Sequence, residues 1–485
     1  MVFLGSTEDG RKQNFDLKFA NRHGLIAGAT GTGKTVSLQV LAEGFSQAGI
    51  PVFMADVKGD LSGMSQPGAM QDFLTKRAAK IGYDDYAPAA MPVIYWDIFG
   101  EKGHPMRATV SEMGPLLLTR ILELNDTQEG VLSIAFRVAD EEGLLLLDLK
   151  DLQSLLADMA ARSSELSAKY GNISDASVAS IQRRLLQLED QGGAKLFGEP
   201  ALDFSDIMRK SGERGCISIL AADKLVQSPR LYATFLLWML SELFEQLPEA
   251  GDLPQPKLAF FFDEAHLLFN DAPKALLEKI EQVVRLIRSK GVGVYFVSQS
   301  PTDIPENVLA QLGCRIQHAL RAYTPQAQKG VKVAAQSFRA NPAIDTEKML
   351  TELGIGEALV STLGEGGVPG MVERVFMAPP RALLGPVTEA QRQSAMAQSP
   401  VRGMYDQAID RQSAYEILKA RAQQASTAAD QAQSRARTSA APQASGGGGR
   451  QRQTLAEAAV KSVIRTMGSE VGRQLIRGLL GSLRR

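Results

Sequence analysis

The sequence predicts an α/β fold built on a mostly parallel sheet. Short apolar runs bounded by turn residues recur through the first 380 residues, amphipathic stretches at helical spacing separate them, and the runs lie too far apart for an all-β sandwich. Buried strands are expected at 23–27, 51–55, 92–96, 215–220, 257–262 and 292–297. Between about 101 and 210 the pattern becomes helical. Leu116, Leu117, Ile121 and Leu124, then Leu152, Leu155, Leu156 and Met159, then Ile181, Leu185, Leu186 and Leu188 imply an insertion of roughly four helices. Farther on, 357–362 and 371–377 flank Gly364, Gly366 and Gly367 in a hairpin-like pattern.

The chain has 485 residues, 44% of them hydrophobic and 22% charged. That supplies one large core or two to three ordinary ones, at roughly 150 residues per domain. Residues 1–385 read as the globular part and 386–450, rich in Ala, Gln, Ser and Arg, as a low-complexity linker. In 451–485, Val460, Val463, Ile464, Met467, Val471, Leu475, Leu479 and Leu483 return to helical spacing among Lys461, Arg465, Arg473 and Arg477. A basic amphipathic helix of this kind suits packing within an oligomer, a protein partner, a membrane surface or nucleic acid.

Composition excludes several classes. Cys216 and Cys314 are too few and too separated for a disulfide scaffold, and His23, His104, His266 and His318 lack the spacing of a zinc site. No signal-peptide pattern opens the sequence, and no apolar run approaches the ~18 residues of a spanning helix, so a cytoplasmic protein is expected. The net charge of −1 hides an asymmetry: from Glu389 to Arg485 there are fifteen Lys/Arg against seven Asp/Glu, or +8, which leaves −9 for the preceding residues. An acidic body does not by itself argue for nucleic-acid binding, although a basic pore lining is compatible with it.

The sharpest motif is Gly28, Ala29, Thr30, Gly31, Thr32, Gly33, Lys34 and Thr35, which matches G-x-x-x-x-G-K-[ST]. It follows an expected strand and opens a helix pattern beginning at Val36. Glycines let the backbone curl so that amide N–H groups and the helix N-terminus face phosphate oxygens. Lys34 should reach the β- and γ-phosphates of ATP, and the Thr35 hydroxyl should ligate Mg²⁺.

A metal partner is expected at the end of a buried strand, and Asp263 after 258–262 answers that need. Glu264 beside it suits a base that deprotonates the attacking water; helix capping is the alternative for both. The strand at 292–297 leads into Ser298 and Gln299, which would lie near the nucleotide, with the Gln299 amide placed to sense the γ-phosphate. Asp56, in Asp56-Val-Lys-Gly-Asp60, ends the strand after the P-loop helix and fits either the same cleft or a turn. Positive charge opposite the developing phosphate charge can come from Arg22, Arg285, Arg288, Arg315 or Arg321.

With GATGTGKT at 28–35, LAFFFDEAH at 258–266, VYFVSQSP at 294–301 and the stretch 307–321, the chain resembles the HerA/FtsK group of P-loop ATPases over roughly 15–380, most of all the HerA-like helicases of bacteria. The resemblance implies a RecA-like core, a homo-hexameric ring, ATP hydrolysed between subunits and double-stranded DNA moved through the pore. It assigns Lys34 and Thr35 to phosphates and metal, Asp263 to metal, Glu264 to the base and Gln299 to sensing. It makes Arg22 an arginine acting across the subunit interface, with Arg288 a second candidate. HerA proteins carry an N-terminal β-barrel, for which the roughly 22 residues before the first strand leave no room, so a protein partner is expected at the C-terminal tail instead. Two functions stay open: a DNA-moving motor, and an ATP-gated assembly protein acting on a protein partner without nucleic acid.

Overall fold

Phe260, Phe261 and Phe262 explain why the run 258–262 is continuously apolar. Side chains alternate between the two faces of a strand. The Phe261 ring stacks on Tyr295 with centroids 4.8 Å apart and lies 6.2 Å from Phe45. Phe260 and Phe262 meet Phe53 at 4.6 Å and Phe296 at 5.3 Å. A parallel strand covered on both faces needs apolar residues on both.

The computed structural model describes residues 1–251, 253–270 and 274–439. They divide into two units, Met1–Met106 with Leu202–Gln407, and Arg107–Ala201 with the residues from Ala408 onward.

The first unit holds a twelve-stranded sheet made of β1 (Val2–Ser6), β2 (Lys12–Phe15), β3 (Gly24–Ala27), β4 (Val52–Asp56), β5 (Val93–Asp97), β6 (His104–Pro105), β7 (Ile217–Ala221), β8 (Leu258–Phe262), β9 (Val292–Ser298), β10 (Cys314–Gln317), β11 (Glu357–Ser361) and β12 (Glu373–Met377). Its spatial order is β2-β1-β12-β11-β10-β3-β9-β8-β4-β7-β5-β6. From β10 to β6 every neighbouring pair is parallel. From β10 back through β11, β12 and β1 to β2 the pairs are antiparallel. All six strands expected from sequence are present, displaced by at most two residues, and the hairpin is the antiparallel pair β11 and β12. The helix Lys34–Gln47, here α1, packs on one face through Leu38, Leu41, Ala42 and Phe45, each at most 1% exposed.

The strand order positions the site. β3, β9, β8 and β4 are consecutive neighbours running the same way, so Gly28, Ser298, Asp263 and Asp56 fall along one carboxyl edge, where open α/β sheets bind ligands.

The second unit is helical: Val110–Ile121, Asp126–Glu142, Leu149–Ala161, Ser163–Tyr170 and Asp175–Leu188, joined by the long helix Ala414–Ser439. Five insertion helices of eight or more residues replace the roughly four expected. Thr109 with Glu112, Asn125 with Gln128 and Asp148 with Asp151 form reciprocal caps. Leu152, Leu155, Leu156, Met159, Ile181 and Leu185 are fully buried, as their spacing implies. Leu116 and Leu186 are 46% and 48% exposed; Leu186 lies one residue off the Ile181, Leu185, Leu188 stripe and so turns roughly 100° away from it.

The expected linker is partly folded. Val401 and Tyr405 in the first unit, and Ala414 and Leu418 in the second, are at most 2% exposed, so a few apolar anchors order a polar segment up to Ser439. The basic helix expected at 451–485 lies outside the described residues. No helix among the described residues is long and apolar enough to cross a membrane.

Candidate nucleotide site

The glycine loop departs from β3 and returns to start α1 at Lys34, with Gly28, Gly31 and Gly33 at φ of 152°, 78° and 116°. These are backbone conformations that side chains resist. At Gly28 a Cβ would also sit 2.5 Å from the His318 Cβ. Gly28 N–H donates to Ser298 O at 3.3 Å and Ala29 N–H to Ala319 O at 2.8 Å, so β9 and the segment after β10 fix the loop. Lys34 Nζ donates to the carbonyls of Gly28 (2.7 Å) and Ala29 (3.1 Å), and the Thr32 hydroxyl to Ala29 O at 2.7 Å.

His318 underpins the helix start. Fully buried, it joins Ser37 Oγ through Nε2 and Glu357 O through Nδ1, each at 2.9 Å. Burial, reinforced by the Lys34 charge, pushes its pKa down to about 4. The ring is therefore neutral near pH 7, adding no charge beside Lys34.

At the end of β8, Asp263 and Glu264 follow Phe262 directly. Asp263 Oδ1 accepts from Glu264 N–H at 2.9 Å, and its carbonyl accepts from the Tyr232 hydroxyl at 2.9 Å. Burial, then the neighbouring Glu264 charge, pushes the Asp263 carboxyl up to about 7. Glu264 takes φ of 48°, a left-handed conformation costing a non-glycine residue about 1 kcal/mol or more. It is 7% exposed, and Lys58 Nζ lies 2.7 Å from its Oε1. Oε2 is buried without a hydrogen bond among the described residues; His266 Nδ1 is 3.3 Å away but without hydrogen-bond geometry. Burial pushes the Glu264 pKa up, yet Lys58 outweighs it and the net shift is downward. A base held ionised with one free oxygen can accept a proton.

Asp56 ends β4 but faces its own turn. Its oxygens accept from Gly59 N–H (2.7 Å) and Leu61 N–H (3.1 Å), and it is 2% exposed. Burial, then Asp60, raises its pKa to about 6. Of its two sequence readings the turn is the one with contacts, and the loop it braces carries Lys58. Ser298 bonds to Asp303 Oδ2 at 2.5 Å, and Gln299, the next residue, is exposed at the same edge.

Arg22 and Arg288 are not brought to the P-loop. They precede β3 and β9 and so sit at the opposite sheet edge, in a pocket of about 450 Å³ that Arg285, Arg315 and Arg339 also line. No acidic residue is among the described lining residues.

The sequence model of the family described as helicase HerA-like C-terminal matches residues 2–485. The chain belongs to this family. This HerA-like chain is 23% identical over 352 residues to the DNA double-strand break repair helicase HerA of Sulfolobus acidocaldarius, covering 70% of this chain and 62% of that relative. It thus spans about three-fifths of that protein's length. Among solved structures it is similar to the bacterial conjugative coupling protein TrwB (TM-score 0.50, 15% identity, 78% of this chain and 88% of that one). It is also similar to VirB4 of Thermoanaerobacter pseudethanolicus (TM-score 0.50, 14% identity, 80% and 97%) and to TrwB in complex with ADP and Mg²⁺ (TM-score 0.50, 15%, 81% and 96%). At such identities the likeness is one of fold, and the fold is the RecA-like P-loop core of HerA/FtsK-type ATPases.

Two site residues of the HerA-like chain escaped sequence reading. Lys58 lies in a loop that reads as a turn, and only the placement of β4 beside β8 brings it to Glu264. His318 looks like a lone histidine until the parallel pairing of β10 with β3 sets it under Gly28.

Proposed function

We propose that this chain is a Mg²⁺-dependent ATPase that acts as a ring motor on double-stranded DNA. The observation carrying the reading is the convergence of Lys34, Asp263, Glu264 and Lys58 on one carboxyl edge, with the Glu264 carboxylate ionised and one of its oxygens free of hydrogen bonds. Thr35 and Asp263 offer hydroxyl and carboxylate oxygens, the donors that suit Mg²⁺, and the upward shift of the Asp263 carboxyl marks a buried acidic pair that a cation would relieve. When bound, Mg²⁺ would supply charge neutralisation between the β- and γ-phosphates.

The chain's own residues do the rest. The loop amides and Lys34 hold the phosphates. Glu264 orients a water and takes its proton as the γ-phosphoryl group transfers, so that ADP and phosphate leave. Gln299 reports the loss of the γ-phosphate. Arg22 and Arg288, an edge away from their own P-loop, would serve a neighbouring subunit's nucleotide, which calls for a closed ring, a hexamer in this reading.

The test is steady-state ATPase with and without long duplex DNA, with Glu264→Gln as control. DNA stimulation abolished in the variant supports the motor. Hydrolysis that needs Glu264 but ignores DNA favours the second reading, an ATP-gated assembly protein acting on a protein partner, for which the −9 charge of residues 1–388 speaks.

A further inference from the structure

Beside the phosphate loop an exposed apolar side chain projects from a turn whose backbone is fixed by hydrogen bonds. Ile355 is 75% exposed, although it belongs to a tightly fixed turn. Gly356 N–H donates to Thr32 O at 3.0 Å, and Gly356 O accepts from Met377 N–H at 2.9 Å. Arg77 bridges both carbonyls of the turn, Nη1 to Gly356 O at 2.6 Å and Nη2 to Ile355 O at 3.2 Å. The Arg77 guanidinium in turn lies over the Phe376 ring, 5.6 Å from its centre. The fit against the phosphate cradle is close: a Cβ on Gly33 would lie 3.3 Å from Gly356 Cα and N. Gly356 itself has φ of +72°, and a Cβ there would lie 3.3 Å from Arg77 Nη1. Val36, in the first turn of α1, packs with Ile81 and Phe376 in the same neighbourhood.

A single exposed apolar side chain needs no explanation by itself, but this one is carried on a fixed backbone one residue from the P-loop contact. A triphosphate seated on the loop amides leaves its ribose and base to project out of the cradle at the start of α1. A backbone already fixed there has little conformational entropy left to lose on contact, and a nucleobase has an apolar face to offer the Ile355 side chain.

We propose that Ile355, held by Arg77, forms the nucleobase subsite, gripping the flat face of the base of the bound nucleoside triphosphate. This rests on the reading that the P-loop binds ATP, and the experiment separates the two. Calorimetric titrations of the full chain with ATP and with inorganic tripolyphosphate, both with Mg²⁺, are compared for the wild type, Ile355→Ser and Ile355→Leu. The high exposure of Ile355 makes unfolding by either substitution a minor concern. Removing the apolar cover is expected to weaken ATP roughly tenfold, the order of one partly buried side chain. Tripolyphosphate binding should stay unchanged, and Ile355→Leu should retain wild-type ATP affinity. The subsite is overturned if Ile355→Ser binds ATP normally, if it weakens ATP and tripolyphosphate alike, or if the wild type binds both ligands equally well. A wild type that binds neither ligand overturns the P-loop reading and the subsite with it.

Discussion

Lys58 Nζ stands 2.7 Å from Glu264 Oε1, a contact between two loops that follow neighbouring parallel strands. The Lys58 side chain is 47% exposed and that of Glu264 only 9%, so the lysine reaches inward from solvent to a carboxylate that is almost covered. Without it, the nearly buried carboxylate would keep only the charge of Lys34 and the neighbouring His266, with no side-chain hydrogen bond among the described residues. Lys58→Met should therefore lower kcat at least about tenfold, within the range one positioned proton-transfer group contributes, while ATP affinity changes little. Lys58→Arg, which keeps the charge, should recover part of the rate. Measuring kcat beside an equilibrium Kd for ATP checks this, and a change confined to Kd would count against the pairing as a positioning contact.

Gly28 and Gly31 offer a contrast within one loop. Both have positive φ, at 152° and 78°, but a Cβ at Gly28 would lie 2.5 Å from His318 Cβ and 3.1 Å from its Cα, whereas nothing lies within 4 Å at Gly31. Gly31→Ala should cost only the left-handed backbone penalty, about 1 to 2 kcal/mol. Gly28→Ala must also displace β10 from β3, and overpacking typically adds about 1 to 3 kcal/mol. Urea unfolding of the two variants should place Gly28→Ala clearly below Gly31→Ala, with nucleotide binding lost first at Gly28.

The central sheet was legible because its strands are apolar on both faces, a signal that survives without knowledge of neighbours. The strands β1, β2, β6 and β10 escaped that reading: the edge strand β2, for instance, is Lys12–Phe15, of which only Phe15 is buried. The residues of the P-loop and Asp263-Glu264 could be read because their chemistry is local in sequence. Lys58, His318, Arg77 and Ile355 could not, since each gains its meaning from a strand or turn distant in the chain, and strand order is not written in periodicity. The arginines were legible as residue types, while their distance from the P-loop needed the direction of β3 and β9.

His23 and His318 are at most 2% exposed, and burial lowers both to a pKa of about 4, with Arg288 adding to the effect at His23 and Lys34 at His318. Unfolding restores each to about 6.5, so between pH 6.5 and 4 these two positions bind more protons in the unfolded chain than in the folded one, and their contribution to stability falls as pH falls through that window. Each histidine should account for about 2 kcal/mol of loss between pH 7 and pH 5. Urea denaturation of the wild type and of His318→Gln at these two pH values isolates the His318 share from the opposite contribution of the buried Asp56 and Asp263 carboxyls. His318→Gln, which keeps a polar partner for Ser37, should shift the difference between pH 7 and pH 5 by about 2 kcal/mol toward greater stability at pH 5, and an unchanged difference would remove His318 from the account.

Arg22 and Gly28 are separated by the full length of the four-residue strand β3, which at a rise of about 3.3 Å per residue is roughly 13 Å. That is farther than an arginine reaches, so a catalytic role for Arg22 or Arg288 requires a second subunit. Arg22→Ala should keep ATP binding and lose hydrolysis, by about 10³-fold if it neutralises transition-state charge. Lys34→Ala should lose hydrolysis for the opposite reason, keeping Arg22 but failing to hold the phosphates. Neither variant turns over ATP alone, yet a mixture places an intact Arg22 beside an intact P-loop wherever a Lys34→Ala subunit neighbours an Arg22→Ala subunit. Hydrolysis that returns on mixing, and peaks at intermediate ratios, is the expected result. Mixtures as inactive as the separate variants would confine both residues to one chain, which the direction of β3 does not allow, and would leave Arg22 a structural member of the arginine pocket.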